Sequence, residues 1–249
     1  RYEILDSGGQ PADYVLAYWW RSSLPRPDPG IAVTYDDGRG LLLRAPAADV
    51  AGLVDAGFEL RRLPGRPLVF AGARQGARLG LLTRSGLVDD MIQQVRTTNL
   101  YTYVSSLSGA TPAVSGGDLY TIQSRLTSKT VPMQKATQYA YQHLQALGLN
   151  MSFQSWSAGG YSGRNVVGVM PGGSLSNEIV LITAHLDDMP SGATAPGADD
   201  NASGCAGVLM AADVLRKFAF DRTIHFVLFT GEEQGLYGSY AYAAALSAA

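Results

Sequence analysis

The feature that most constrains the fold is a strongly apolar run at 179–184, Ile-Val-Leu-Ile-Thr-Ala, followed at once by His185 and Asp187. A strand that is apolar at nearly every position is typical of a sheet covered on both faces. A second such run occupies 223–229, and a loop and a predicted helix at 203–218 separate the two runs. This order predicts α/β architecture, with chemistry expected where loops leave the carboxyl ends of the strands.

The remaining segments fit the same class. Short apolar runs between Gly, Pro and Asp residues predict five strands and one helix near the start of the chain: strands at 14–20, 31–35, 41–44, 68–71 and 79–82, and a helix at 47–56. Apolar residues at three- and four-residue spacing predict two helices further on, and apolar runs predict two more strands: helices at 88–107 and 132–147, and strands at 151–156 and 165–170. A further helix is predicted after Gly231.

We expect two parts, a small α/β module at residues 1–85 and a larger domain at 86–249. The first module contains no histidine and its acidic residues are scattered, so nothing in it indicates a catalytic site. A folding aid, an inhibitory pro-region and an interaction module all remain open as its role.

Composition excludes several classes of protein. The formal net charge of -2 provides no basic surface for nucleic acid or an anionic membrane. No apolar run reaches the roughly 18 residues that a transmembrane helix needs. A single cysteine, Cys205, cannot form an internal disulfide and says nothing about compartment. The first residue is Arg1 rather than Met, which we interpret as a chain whose signal peptide has been removed, with removal of a tag as the alternative.

Polar residues that can bind metals follow both apolar runs. His185 alone would be more typical of a hydrogen-bonded structural residue, but a ligating imidazole usually donates its other N–H to a carboxylate, and Asp187 provides one two residues further on. Glu232 and Glu233, after the second run, fit either a solvated first helical turn or a metal ligand beside a general base.

A third cluster, Asp199-Asp200, lies between the other two at the start of a predicted helix. One interpretation is that Asp199 or Asn201 caps that helix. The other is that a cation neutralises the two carboxylates. The order of the three clusters, with two of them at the ends of neighbouring strands, favours a metal site.

The three clusters resemble the motifs of the co-catalytic dizinc aminopeptidases, metallopeptidase family 28, which also contains carboxypeptidases and glutaminyl cyclases. The similar segments read AHLDD, APGADDNASG and FTGEEQGLYGS, and the resemblance extends from Leu87 to the end of the chain. It implies a mixed, largely parallel central sheet flanked by helices, with residues 86–249 forming the N-terminal part of the peptidase domain. Residues 1–85 lie where secreted members carry a pro-region.

The resemblance also implies roles for individual residues. His185 corresponds to a ligand of the first zinc, Asp200 to the carboxylate that bridges both ions, and Glu233 to a ligand of the second zinc. Glu232 corresponds to the general base, and Asp187 to the acid that orients the histidine. The peptide bond after Asp200 is expected to be cis.

The function implied is that of a secreted, zinc-dependent exopeptidase, in the first place an aminopeptidase that releases N-terminal amino acids from peptides or proteins. Two zinc ions would activate a water molecule whose proton the glutamate removes. Family members supply a further Asp and a further His after the Glu-Glu motif, whereas residues 234–249 contain neither. We therefore expect a complementing segment or a neighbouring subunit to supply them, and this chain alone to be inactive. A glutaminyl cyclase-like enzyme with one zinc, and a non-catalytic structural or interaction protein on a truncated peptidase fold, remain open as alternatives.

Overall fold

The computed structural model of the protein describes eight ranges of residues: 9–10, 13–19, 25–38, 40–63, 85–128, 130–189, 194 and 196–247. Within these ranges the chain forms two four-stranded sheets and one two-stranded sheet, together with helices. The expected α/β class is confirmed.

The first sheet is antiparallel, with the strand order β2-β3-β1-β4. Its elements are β1 (Tyr14–Tyr18), β2 (Val33–Asp36), β3 (Gly40–Arg44), the helix α1 (Ala47–Asp55) and β4 (Glu59–Arg62). The predicted strands at 14–20, 31–35 and 41–44 and the helix at 47–56 are confirmed, whereas those at 68–71 and 79–82 lie outside the described residues. The prediction missed β4 because its sequence, Glu-Leu-Arg-Arg, is mostly charged, although Leu60 is fully buried in the core of this sheet.

Three helices and a hairpin connect the two large sheets: α2 (Gly86–Gln93), α3 (Thr97–Leu107), the hairpin β5 (Ala113–Ser115) and β6 (Asp118–Tyr120), and α4 (Thr130–Ala146). The single helix predicted at 88–107 is wrong, because the chain leaves helical geometry at Arg96, where φ is -113° and ψ is 112°. The two β-branched residues that follow favour a helix start over a helix interior. Within the described ranges, no helix is both long enough and apolar enough to span a lipid bilayer.

The second sheet contains the order of strand, helix and strand that positions the site. It consists of β7 (Asn150–Ala158), β8 (Tyr161–Met170), β9 (Leu175–His185) and β10 (Arg222–Phe229), in the order β7-β8-β10-β9. The helices α4 and α5 (Ser203–Leu215) cover one face, and α6 (Tyr237–Ser247) packs on the other through Tyr242. Because β9 and β10 are parallel, their carboxyl ends lie side by side, with His185 opposite Phe229.

Two expectations about this sheet need correction. The run at 179–184 is not an interior strand in the described part of the chain, because β9 lies at the edge and Ile179, Val180 and Leu181 are 41%, 42% and 46% exposed. The sheet is mixed as expected, but only the pair β9/β10 is parallel in the described part. The antiparallel pairing of β7 and β8 follows from the tight turn at Gly159 and Gly160, which joins them as a hairpin.

Candidate metal centre

Three of the sequence-predicted residues meet at the carboxyl ends of β9 and β10. His185 is the last residue of β9, Glu233 follows β10, and Asp200 lies in a short π-helical turn (Ala198–Ala202) that precedes α5. One ligand atom from each of the three lies within 4.8 Å of the others, and His185 Nε2 is 3.0 Å from Asp200 Oδ1. Imidazole nitrogen and carboxylate oxygen are ligands that zinc accepts, so the donor set fits this metal.

The charges at this cluster are poorly compensated by the protein. Burial raises the pKa of Glu232 to about 7 and that of Glu233 to about 9. Burial would lower the pKa of His185, but the hydrogen bond with Asp200 and the charges on Asp187 and the two glutamates raise it to about 10. Among the described residues, no hydrogen bond reaches the carboxylate of Glu232 or Glu233. Buried carboxylates without donors are stabilised by a cation, which supports the fit of a metal ion here.

Asp187 contacts the turn that carries the two glutamates. Its carboxylate is fully buried and accepts the N–H groups of Glu232 and Glu233, each at 3.2 Å, and the hydroxyl of Thr127 at 3.1 Å. Nδ1 of His185 lies 3.2 Å from the backbone oxygen of Asp187 but 3.8 Å from its carboxylate. The residue therefore fixes the histidine mainly through its carbonyl group, and it fixes the glutamate turn through its side chain.

The turn after β10 requires a glycine. Gly231 has a φ of 75°, and a Cβ atom at this position would lie 2.4 Å from the ring of Trp156. Its N–H donates to the hydroxyl of Thr127 at 3.2 Å, and Nε1 of Trp156 donates to the hydroxyl of Thr230 at 2.9 Å. These contacts fix the backbone at Thr230 and Gly231, immediately before the two glutamates.

Sequence reasoning missed Arg125, which holds the loop between His185 and Asp200. The side chain is fully buried and donates to the carbonyl groups of Leu186, Pro196 and Gly197 at 2.7, 2.9 and 2.9 Å. It also pairs with Asp188, whose Oδ2 is 3.3 Å from Nη1. No signal in the segment around Arg125 indicates this role, because its partners in this loop lie more than 60 residues further along the chain.

The two residues of the pair Asp199-Asp200 differ in their roles. The carboxylate of Asp200 faces His185, and this hydrogen bond lowers the pKa of Asp200. The cap of α5 comes from Asn201, whose side-chain oxygen accepts the N–H of Gly204 at 2.9 Å, so that of the two candidates Asp199 is not the cap. The peptide bond between Asp200 and Asn201 is cis, as expected from the resemblance.

Residues of the first sheet lie near the site. Arg61 of β4 contributes to the lowered pKa of Asp200, and Glu59 contributes to the raised pKa of Glu232. Met189, in the loop after β9, packs against the core of the first sheet. The edge of the first sheet formed by β4 is thus close enough to the metal centre to influence its charges.

Comparison with known proteins supports the assignment of these motifs. Residues 165–249 match the model of Peptidase family M28, which confirms the resemblance inferred from the sequence. This part of the chain, about a third of its length, is similar to the M28 peptidases. It contains all three ligand candidates, Glu232 and Asp187.

Individual relatives agree with this family. The chain is 39% identical over 85 residues to aminopeptidase YwaD of Bacillus subtilis, an alignment that covers 34% of this chain and 18% of YwaD. The LapA aminopeptidase of Legionella pneumophila has a similar fold, with a TM-score of 0.62 and 16% identity over 95% of this chain and 65% of LapA. A glutaminyl cyclase of Macrostomum lignano is also similar in fold, with a TM-score of 0.51 and 18% identity over 67% of this chain and 50% of the cyclase. The chain thus spans less than two thirds of each of these proteins.

Proposed function

We propose that this chain forms part of a zinc-dependent aminopeptidase that releases N-terminal amino acids from peptides or proteins. The observation that carries the proposal is the convergence of one ligand atom each from His185, Asp200 and Glu233 within 4.8 Å of one another. The other glutamate of the turn, Glu232, directly precedes Glu233. The M28 match and the similarity to named aminopeptidases support it.

The chain's own residues have distinct tasks in this proposal. A bound zinc polarises a carbonyl group and makes water acidic enough to react near neutral pH. The carboxylate of Glu232 accepts the proton of the attacking water and passes it to the leaving amine. Asp187 holds the backbone N–H groups of Glu232 and Glu233, so both carboxylates keep a fixed direction.

We extend the proposal to two ions, with Asp200 shared between them. Catalytic zinc sites normally have three protein ligands and an open position, so two ions need more donors than the three that converge here. We propose that the further donors come from polypeptide outside these 249 residues, or from a neighbouring subunit. Secretion also stays a prediction.

The closest alternative is a cyclase that acts on N-terminal glutamine. The likeness in fold to a glutaminyl cyclase and a three-ligand cluster that suffices for one ion favour it as the second candidate. The test uses the complete protein, together with the polypeptide or subunit that supplies the further donors. It loads this protein with zinc, measures the bound metal, and compares hydrolysis of an amino-acid anilide with cyclisation of a glutaminyl peptide. Hydrolysis with two zinc ions bound supports the aminopeptidase. Cyclisation with one ion bound supports the alternative, and a protein that binds no zinc contradicts both.

Among the roles left open for residues 1–85, we favour an inhibitory pro-region. The influence of Glu59 and Arg61 on the charges of the site supports this choice, because both belong to the edge strand nearest the metal centre. In the complete enzyme, cleavage of the chain between the two parts, with the fragments kept apart, is expected to raise the rate of hydrolysis. An unchanged rate after complete separation would favour a folding aid instead.

A further inference from the structure

A cavity that is lined by none of the three metal ligands lies between the N-terminal half of α4 and the hairpin of β7 and β8. Its volume is about 340 Å³, within the range of small-molecule sites. Hydroxyl groups line much of it, from Thr127, Thr130, Thr137, Ser155 and Ser162. None of its lining residues is acidic.

Arg164 supplies the positive charge of this cavity. Its guanidinium group donates from Nε to Thr137 Oγ1 at 3.0 Å and from Nη2 to the carbonyl group of Gln134 at 3.2 Å, and it lies 3.8 Å from the ring centroid of Phe153. Among the described residues no carboxylate pairs with it, and burial lowers its pKa. A partly desolvated cation that meets only neutral acceptors is stabilised by an anion.

The N–H groups of Arg164 that are not used in these contacts indicate which kind of anion would bind. The two hydrogen bonds above use Nε and one hydrogen of Nη2, which leaves Nη1 and the second hydrogen of Nη2 without a partner among the described residues. Two adjacent N–H groups match the two oxygens of a carboxylate. A single guanidinium balances one negative charge, which favours a carboxylate over a doubly charged phosphate. The side chains of Met133 and Trp156 add an apolar wall.

We propose that this cavity binds a small carboxylate with an apolar body, the chemistry found at the C-terminal end of a short peptide. The carboxylate accepts hydrogen bonds from Arg164 and from the hydroxyl groups of Thr130, Ser155 and Ser162, since those of Thr127 and Thr137 already donate within the protein. The apolar body packs against Met133 and Trp156. None of the three metal ligands lines the cavity, so binding there does not require zinc, although Thr127 and Trp156 also contact the turn that carries the glutamates.

The test measures binding of N-acetyl-leucine to the metal-free protein by calorimetry or by tryptophan fluorescence. N-acetyl-leucinamide has the same shape without the charge and serves as the matched ligand. We expect the carboxylate to bind at least about tenfold more tightly than the amide, as for a charge-assisted hydrogen bond. This comparison needs no variant, so it does not depend on the folding of a mutant.

Variants then locate the site. Arg164→Met is expected to weaken binding of N-acetyl-leucine about tenfold or more, whereas Arg222→Met, which removes an exposed arginine from β10, leaves it unchanged. Equal affinity for the carboxylate and the amide overturns the proposal. So does unchanged binding by a folded Arg164→Met protein, and so does the absence of saturable binding. Tighter binding of inorganic phosphate would overturn the assignment to carboxylates.

Discussion

Two pairs of adjacent carboxylates lie beyond the neighbouring ends of β9 and β10, and the protein treats them differently. The pair Asp187-Asp188 is fully buried and has partners: the first accepts three hydrogen bonds, and the second faces Arg125. The pair Glu232-Glu233 is also largely buried, yet among the described residues its carboxylates accept no hydrogen bond. The difference separates acids that support the loop from acids left available to a metal ion and a reacting water.

The largest effect is expected at Glu232, which we propose to be the general base. Replacing Glu232 with Gln keeps the size of the side chain but removes its ability to take a proton. Turnover of the complete, zinc-loaded enzyme should fall about 10²–10⁴-fold, the usual cost of losing a general base, while zinc binding is retained. Steady-state hydrolysis of an amino-acid anilide and metal analysis of the same sample measure both quantities. Near-normal turnover would remove this residue from the mechanism.

The supporting pair should instead respond in stability. Arg125→Met leaves Asp188 buried without its cation, and removing one partner of a buried ion pair costs about 3–5 kcal/mol in the free energy of unfolding. Chemical denaturation measures the change. Combining Arg125→Met with Asp188→Asn should recover part of the loss, because the unpaired charge disappears. A single variant within about 1 kcal/mol of the wild type would contradict the supporting role.

The next largest effect is expected on zinc affinity, when the two residues of the pair Asp199-Asp200 are replaced separately. Asp200→Ala removes a proposed zinc ligand whose carboxylate oxygen lies 3.0 Å from His185 Nε2. Zinc affinity should therefore fall by more than about 100-fold, the upper range for residues that only support a ligand. Asp199→Ala is the matched control and should leave affinity nearly unchanged. Zinc titration in competition with a chelator decides between them. The reverse result would show that the assignment within the pair is wrong by one residue.

The sequence predicted the parts of this site that are local along the chain. His185, Asp200 and Glu233 stand out because polar residues follow apolar strands, and the resemblance to a known family supplied their roles. The structure brings these three side chains together, but their function as ligands stays a prediction. Arg125 and Thr127 could not be predicted, since each meets its partners near the site across 60 or more residues and no local pattern marks such contacts.

The fold shows the same limit. An apolar sequence predicted that 179–184 is a strand, but a strand's neighbours depend on the topology of the whole sheet. The edge position of β9 therefore could not be predicted from its own residues. The break between α2 and α3 was missed for a different reason. The apolar periodicity of the sequence continues across it, whereas the backbone leaves helical geometry at Arg96.

The smallest effect is expected from the first sheet, where Arg61 acts on the site only through its charge. Its side chain is 58% exposed, so its interactions are weakened by solvent. The positive charge of Arg61 near Asp200 and Glu232 opposes the binding of a zinc ion. Arg61→Ala should therefore raise zinc affinity, by less than about fivefold. The gain should shrink as salt is increased to about 1 M, because salt screens exposed charges. Arg222→Ala, an exposed arginine that pairs with Glu178 rather than with the site, is the control and should leave zinc affinity unchanged at every salt concentration. A loss of affinity in Arg61→Ala, or a gain that does not depend on salt, would mean that this residue acts through packing of the first sheet and not through its charge.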